Sequence, residues 1–295
     1  MSKPTAFGPW TVERTITAGS RGNADVYEVS GVGSRERLAL KTPHGKPGSE
    51  PYRRFQSEVA FHSQFQDAGV LPMVEGLAPD TLSAGEHAWL VMPIASPFDH
   101  ELADAALPQV VQAISQVAAT LTRLSRQGVH HRDIKPQNLF LREGVAVIGD
   151  FGLVDYPGKP EVTGDGKHLG PIYYIAPEML ANPASANGER ADVYSLAKTL
   201  WVLAAGQRYP FPGGLDVPQL RLRAHVEHPR AYRLEPLLER ATQFDPHDRP
   251  TLETFADELR AWLDEPAPTE SRPAPTLDEA TARITALLAP SVKGL

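Results

Sequence analysis

Apolar positions change their spacing twice along this chain. Between residues 10 and 42 they come in short runs: Thr11, Val12, Thr15 and Ile16, then Val26-Tyr27-Glu28-Val29, then Leu38-Ala39-Leu40, with glycine-bearing turns at Gly19–Asp25 and Gly31–Gly33. Short, partly alternating runs bounded by turn residues predict three strands in an antiparallel sheet. Over residues 53–65, Phe55, Val59, Phe61 and Phe65 stand among charged positions with steps of four, which predicts a helix. Strand-like pieces return at residues 70–74 and 88–92.

After Pro108 the pattern becomes helical. Val110, Ile114, Val117, Leu121 and Leu124 recur at steps of four and three and stop before Gly128. Residues 191–205, 234–241 and 252–263 read as further helices. A strand-rich first part followed by a helix-rich second part predicts an α+β protein of two lobes. The text from 264 to 276 is rich in proline and reads as an extended linker. Thr276-Leu277-Asp278-Glu279 then forms a capping-box pattern, opening a short amphipathic helix over 277–289 with Leu277, Ile284, Leu287 and Leu288 on one stripe. A helix this short is marginal alone, so it is expected to dock on the body or on a partner, including a second copy in a dimer.

Composition narrows the function classes. The 295 residues carry 29 Lys+Arg against 36 Asp+Glu, a formal net charge of -7, which argues against nucleic-acid binding through bulk charge. There is no cysteine, which excludes a disulfide framework, a thiol nucleophile and thiolate metal sites. No apolar run reaches the ~20 residues of a membrane span, and the N-terminal text lacks the apolar core of a signal peptide. A cytoplasmic protein is expected.

The chemistry concentrates in two places. His131-Arg132-Asp133-Ile134-Lys135-Pro136-Gln137-Asn138 follows the long helix and precedes a short apolar run, so it reads as a loop. A carboxylate, a lysine two residues on and an amide three beyond that are the groups phosphoryl transfer needs: one to orient a hydroxyl, one cation for the moving phosphoryl, one oxygen ligand for a metal. Twelve residues after Asn138 comes Asp150-Phe151-Gly152, behind the apolar Val147-Ile148. A carboxylate at the end of a buried strand suits a hard cation such as Mg²⁺.

With these motifs in order, the chain resembles the eukaryotic-like serine/threonine protein kinases of bacterial type over roughly residues 10–263. The resemblance implies a small antiparallel-sheet lobe with one helix (about 8–92), a hinge (93–97) and a larger helical lobe (98–263) in one kinase domain, 1–263. It implies ATP and Mg²⁺ (Mn²⁺ as a substitute) as cofactors and protein substrates as partners. Asp133, Lys135 and Asn138 would be catalytic, with Asn138 and Asp150 holding the metal. Lys41, in Ala39-Leu40-Lys41, would grip the α- and β-phosphates and be paired by Glu58. Val26, Ala39, Met92 and Phe140 would enclose the adenine, with the Pro93 carbonyl and Ala95 N–H at the hinge. Glu178, closing Ala176-Pro177-Glu178, would pair with Arg249, and Asp192 would anchor the catalytic loop. Arg132 would receive a phosphate from the segment 150–178, whose one threonine is Thr163.

Two stretches depart from the family pattern. Aligned on Val26, the phosphate-covering loop keeps Gly19 but has Arg21 and Ala24 at its other two glycine positions, with Gly22 displaced. Pro171 stands where a threonine is usual. These departures motivate two alternatives, a pseudokinase scaffold and a kinase-fold enzyme acting on small molecules. The first usually loses Lys41, Asp133 or Asp150, and the second usually lacks the equivalents of Glu178 and Arg249; all five are present.

Overall fold

The computed structural model describes residues 5–17, 24–159, 173–215 and 217–266. The chain divides into two compact units, Met1–Leu263 and Asp264–Leu295, and the architecture below is that of the first. The expected helix at 277–289 lies outside the described residues, as do Gly19, Arg21, Gly22, Thr163 and Pro171.

The first unit opens with strands β1 (Ala6–Phe7), β2 (Trp10–Thr17), β3 (Ala24–Gly31) and β4 (Leu38–Pro43), followed by helix α1 (Glu50–Gln64). Strands β5 (Glu75–Leu77) and β6 (Trp89–Pro93) complete an antiparallel six-stranded sheet in the order β1-β2-β3-β4-β6-β5. On one side of the sheet Phe7, Trp10, Tyr27, Val29, Leu40 and Trp89 pack together. Tyr52 and Phe55 of α1 pack with Ala88 and Leu90 in a second cluster. The expected strand at 70–74 does not form. Leu71 N–H donates to Ile148 O at 2.8 Å and Ile148 N–H to Gly69 O at 2.8 Å, so backbone pairing pins this stretch elsewhere. The strand begins later, at Glu75.

Beyond β6 the chain forms strand β7 (Ser96–Pro97), helices α2 (Phe98–Glu101) and α3 (Leu107–Ser125), and a hairpin, β8 (Leu139–Arg142) with β9 (Val145–Ile148). Helices α4 (Pro177–Ala181), α5 (Gly188–Ala205), α6 (Glu235–Ala241) and α7 (Leu252–Asp264) follow. From Ala191 helix α5 carries apolar residues around most of its circumference, with Asp192, Ser195, Lys198 and Thr199 among them, and is buried almost throughout. That is the sequence signature of a helix at the centre of a layered core rather than on its surface. Asn187 caps its start by accepting from Arg190 N–H, and Gly206, in left-handed conformation at φ 60°, ends it. The main core gathers Ile114, Leu121 and Leu124 of α3, Leu196 and Leu200 of α5, Leu238 of α6 and Phe255 of α7.

Glu178 at the start of α4 meets Arg249 in a bidentate pair, Nη1 to Oε1 at 2.6 Å and Nη2 to Oε2 at 2.8 Å. The other three guanidinium hydrogens go to Gln243 O, Arg190 O and Phe244 O. All five donors of the fork are used, and the Arg249 side chain is 0% exposed. Removing one member of a buried pair leaves the other charge uncompensated, typically about 3–5 kcal/mol of destabilisation. Arg249→Ala is expected to lower the melting temperature by on the order of 10 °C. Arg249→Lys, which lacks the fork, recovers only part of it. Thermal unfolding of the two variants beside the native chain checks this; unchanged melting would deny the pair its structural weight.

Candidate active site

Three elements meet around Lys41. It projects from β4, opposite Leu90 of β6 and Val26 of β3 in the sheet register. Its Nζ donates to Glu58 of α1 at 2.7 Å (Oε2) and 3.0 Å (Oε1), and to Asp150 Oδ1 at 2.9 Å. The direct contact with Asp150 was not expected from the sequence, because the two residues are 109 positions apart. Burial opposes the Lys41 charge, but the two carboxylates hold its pKa above the ordinary value. Burial pushes the Glu58 carboxyl up to about 7, Lys41 pulling it back and Asp150 adding to the rise. Burial also opposes charge on Asp150, yet Lys41, Lys135 and His131 bring its carboxyl down to about 2. Asp150 is therefore a fixed anion at neutral pH.

Asp150 holds a left-handed backbone at φ 58°, and Phe151 turns back under α1. The Phe151 ring stacks on Phe61 at 4.1 Å between centroids and takes His131 and His62 on its edges. Gly149, just before, is held to its type by space: a Cβ there would stand 2.9 Å from Phe140 Cε2.

The catalytic-loop candidates gather around Asp133. Its Oδ2 accepts from Lys135 Nζ at 2.8 Å and from Asn138 Nδ2 at 2.9 Å, and Asn138 Nδ2 also donates to the Asp133 carbonyl at 2.8 Å. Both bonds use one carboxylate oxygen, so Oδ1 has no protein partner among the described residues. His131 fixes the turn. Its Nδ1 accepts from Asp133 N–H at 3.2 Å, which leaves Nε2 to donate to Gly149 O at 3.0 Å and ties the loop to the residue before Asp150. Neither His131 contact was foreseen, although the residue lies inside the motif.

Asp192 of α5 holds this loop from below. Its two oxygens accept from His131 N–H at 2.8 Å and Arg132 N–H at 2.7 Å. Arg132 is left-handed at φ 65°. Its guanidinium donates to Asp155 at 2.5 Å, and its Nε has no partner among the described residues. Asp155 was missed by sequence reasoning, since nothing local marks it as a partner.

The expected adenine residues fall on two sheets. Ala39 lies opposite Met92 and Leu38 opposite Pro93 in the β4–β6 pairing, with Val26 on the neighbouring β3. Phe140 lies on β8, opposite Pro97 and Val147. Ala95 stands in the short connection between β6 and β7. Just before α4, Tyr174 is buried and Tyr173 exposed.

The donor set suits a nucleotide-borne divalent cation. Asn138 spends its amide hydrogens on Asp133, which leaves its carbonyl oxygen for a hard metal, and the Asp150 side chain is partly open beside it. Among the described residues no cluster of three or more His, Asp, Glu or Cys side chains is formed, so a metal held here draws further ligands from phosphate and water.

His62 adds a pH dependence. It is buried, edge-on to Phe151 at 5.6 Å, and burial together with the Lys41 charge lowers its pKa to about 4. The unfolded chain takes up this proton near pH 6.5, the folded chain only near pH 4, so native stability falls as pH drops through that window. In His62→Leu the cost disappears. The melting temperature of the variant relative to the native chain is expected to rise steadily from pH 7 to pH 4.5 at constant ionic strength. A difference that stays flat contradicts a buried, neutral His62.

Comparison with known proteins agrees with this geometry. The family model described as "Protein kinase domain" matches residues 10–259. The chain is similar to "Serine/threonine-protein kinase PknE" of Mycobacterium tuberculosis, 26% identical over 256 residues, covering 83% of this chain and 44% of that protein. It is also similar to "Probable serine/threonine-protein kinase pknA2" of Bifidobacterium longum, 29% identical over 234 residues, 75% of this chain and 30% of the relative. For "Serine/threonine-protein kinase PknH" of Mycobacterium bovis the identity is 28% over 202 residues, 66% of this chain and 32% of the relative. The chain spans less than half the length of these relatives. Its matched span takes in strands β2 to β6 of the sheet, the Asp133 loop, Asp150 and the Glu178–Arg249 pair, and the chain belongs to the protein kinase domain family.

Proposed function

We propose that the chain transfers the γ-phosphoryl group of ATP to serine or threonine hydroxyls of protein substrates. The observation that carries this reading is the pairing of two arrangements. Lys41 is held between Glu58 and Asp150, while Asp133 keeps one carboxylate oxygen open beside Lys135. Lys41, fixed by Glu58, is placed to bind the α- and β-phosphates. Asp133 Oδ1 orients the acceptor hydroxyl and accepts its proton as the new P–O bond forms and the bond from the γ-phosphorus to the β-phosphate oxygen breaks, releasing ADP. Lys135, 2.8 Å from the same carboxylate, neutralises charge on the group in transit. Asn138 and Asp150 would hold Mg²⁺, or Mn²⁺ in its place, which would supply positive charge to offset that of the phosphates.

Lys41, Asp133 and Asp150, one of which catalytically silent relatives usually lose, are all present and line one cleft with Gly152. The bidentate Glu178–Arg249 pair favours protein over small-molecule acceptors, because small-molecule relatives usually lack the equivalents of both residues. ATP as the phosphoryl donor favours a cytoplasmic reaction. Among the described residues no helix is long and apolar enough to cross a membrane.

The test is intact mass and peptide phosphorylation after incubation with ATP and either Mg²⁺ or Mn²⁺. Mass gain in steps of one phosphate and labelled Ser/Thr peptides are expected. Asp133→Asn and Lys41→Met are each expected to lower the rate by about 10²–10³. Retention of turnover within a few-fold by both variants would overturn the assigned roles.

A further inference from the structure

A cleft of about 400 Å³ lies between the end of α1 and the segment that leads to β5. His62, Phe65, Asp67, Val70, Pro72 and Met73 form most of its lining. Neither the Asp133 loop nor the Lys41 cluster contributes to it. The volume is that of a small-molecule site.

The two walls are held by different elements. Residues 67–71 are tied to the large lobe. Asp67 takes a bidentate pair from Arg123 of α3, Oδ2 accepting from Nε at 2.8 Å and Oδ1 from Nη2 at 2.6 Å. The backbone bonds of Gly69 and Leu71 with Ile148 add two more ties, to β9. The opposite wall is the last turn of α1, with Phe65 just past it, and Glu58 stands one turn earlier on the same helix. Any shift of α1 against the large lobe therefore changes the width of the cleft.

The lining sets the chemistry of a guest. Phe65, Val70, Pro72 and Met73 offer apolar and aromatic surface, which fits a flat aromatic body. The Asp67 carboxylate repels an anion, and its pairing with Arg123 leaves little attraction for a cation. His62 is the polar contact. It is 7% exposed, and its ring has no hydrogen-bond partner among the described residues. With its pKa lowered to about 4 it is neutral at pH 7, with one N–H to donate and one nitrogen to accept. The same ring stands edge-on to Phe151 at 5.6 Å, next to Asp150. A guest touching His62 thus touches the packing that joins α1 to the turn after β9.

We propose that this cleft binds a small neutral aromatic molecule bearing one hydroxyl, which hydrogen-bonds His62 and, by filling the space between α1 and residues 67–73, holds α1 where Glu58 meets Lys41. Occupancy of the cleft and of the nucleotide site then reinforce one another, a coupling that rests on the kinase reading above.

The probe is 2-naphthol, whose fluorescence reports binding to the full chain. Saturable binding at one site is expected. Ala68→Trp, which places an indole at the exposed lip of the cleft, is expected to abolish it. His62→Leu is expected to weaken it about three- to tenfold, the worth of one hydrogen bond, and His62→Gln to restore most of the loss. With Mg²⁺ and the non-hydrolysable analogue AMP-PNP at saturation, 2-naphthol is expected to bind about fivefold more tightly, and 2-naphthol to tighten AMP-PNP by the same factor. Absence of saturable binding, displacement by AMP-PNP, or full affinity in Ala68→Trp overturns the site. Equal affinity in His62→Leu and the native chain overturns His62 as the anchor. Binding that Ala68→Trp blocks but AMP-PNP leaves unmoved overturns the coupling. A chain that binds 2-naphthol in the cleft and no AMP-PNP at all overturns the kinase reading and the coupling, while the cleft itself stands.

Discussion

The carboxylate of Asp192 is the constraint on which the rest of the site depends. Buried inside α5, it needs donors for both oxygens, and it finds them in the consecutive N–H groups of His131 and Arg132. Two adjacent amides converge on one carboxylate only when the chain turns sharply, and here Arg132 is left-handed at φ 65°. A non-glycine residue in that conformation costs on the order of 1 kcal/mol or more. The buried bonds to Asp192 offset the strain. The turn then sets the direction of Asp133 and of the His131 ring, and the ring reaches Gly149 and Phe151.

A second layer of control is electrostatic. One ammonium serves two carboxylates from separate elements, α1 and the turn after β9. Asp150 keeps its charge far below neutrality, while Glu58 is poised near 7. The cluster therefore holds close to one net negative charge above neutral pH, and a cation arriving with phosphates adds attraction rather than competition. The position of α1 is tied to this balance, because Glu58, which meets Lys41, and Phe61, which stacks on Phe151, stand three residues apart on it.

Local spacing revealed those parts whose causes are local. The steps of three and four from Val110 to Leu124 gave α3 because that helix buries one clear stripe. The Asp133 loop was readable because its groups lie within eight residues. The piece at 70–74 misled, since its apolar run is buried by pairing with Ile148 rather than by a sheet neighbour of its own. Asp155 and His62 were invisible because their meaning comes from residues far along the chain. The text of α5 carried one signal: Lys198, set between Leu196 and Leu200 in a buried helix, had to find acceptors, and they are the carbonyls of Phe211 and Gly213. Which acceptors it found could not be read without the turn at Phe211.

The long reach of these bonds has a consequence for the chain during its synthesis. Lys41 to Asp150 spans 109 residues, His131 to Asp192 spans 61, and Arg249 to Glu178 spans 71. Translation delivers Lys41, Glu58, Asp133 and Asp150 well before α5 and Arg249. A nascent chain holding every reacting group still lacks the anchor that bends the Asp133 loop, and closing loops of such length comes late in folding. The order of delivery thus leaves the Asp133 loop without its anchor until α5 has left the ribosome, and the Glu178–Arg249 pair unmade until nearly the whole matched span has followed.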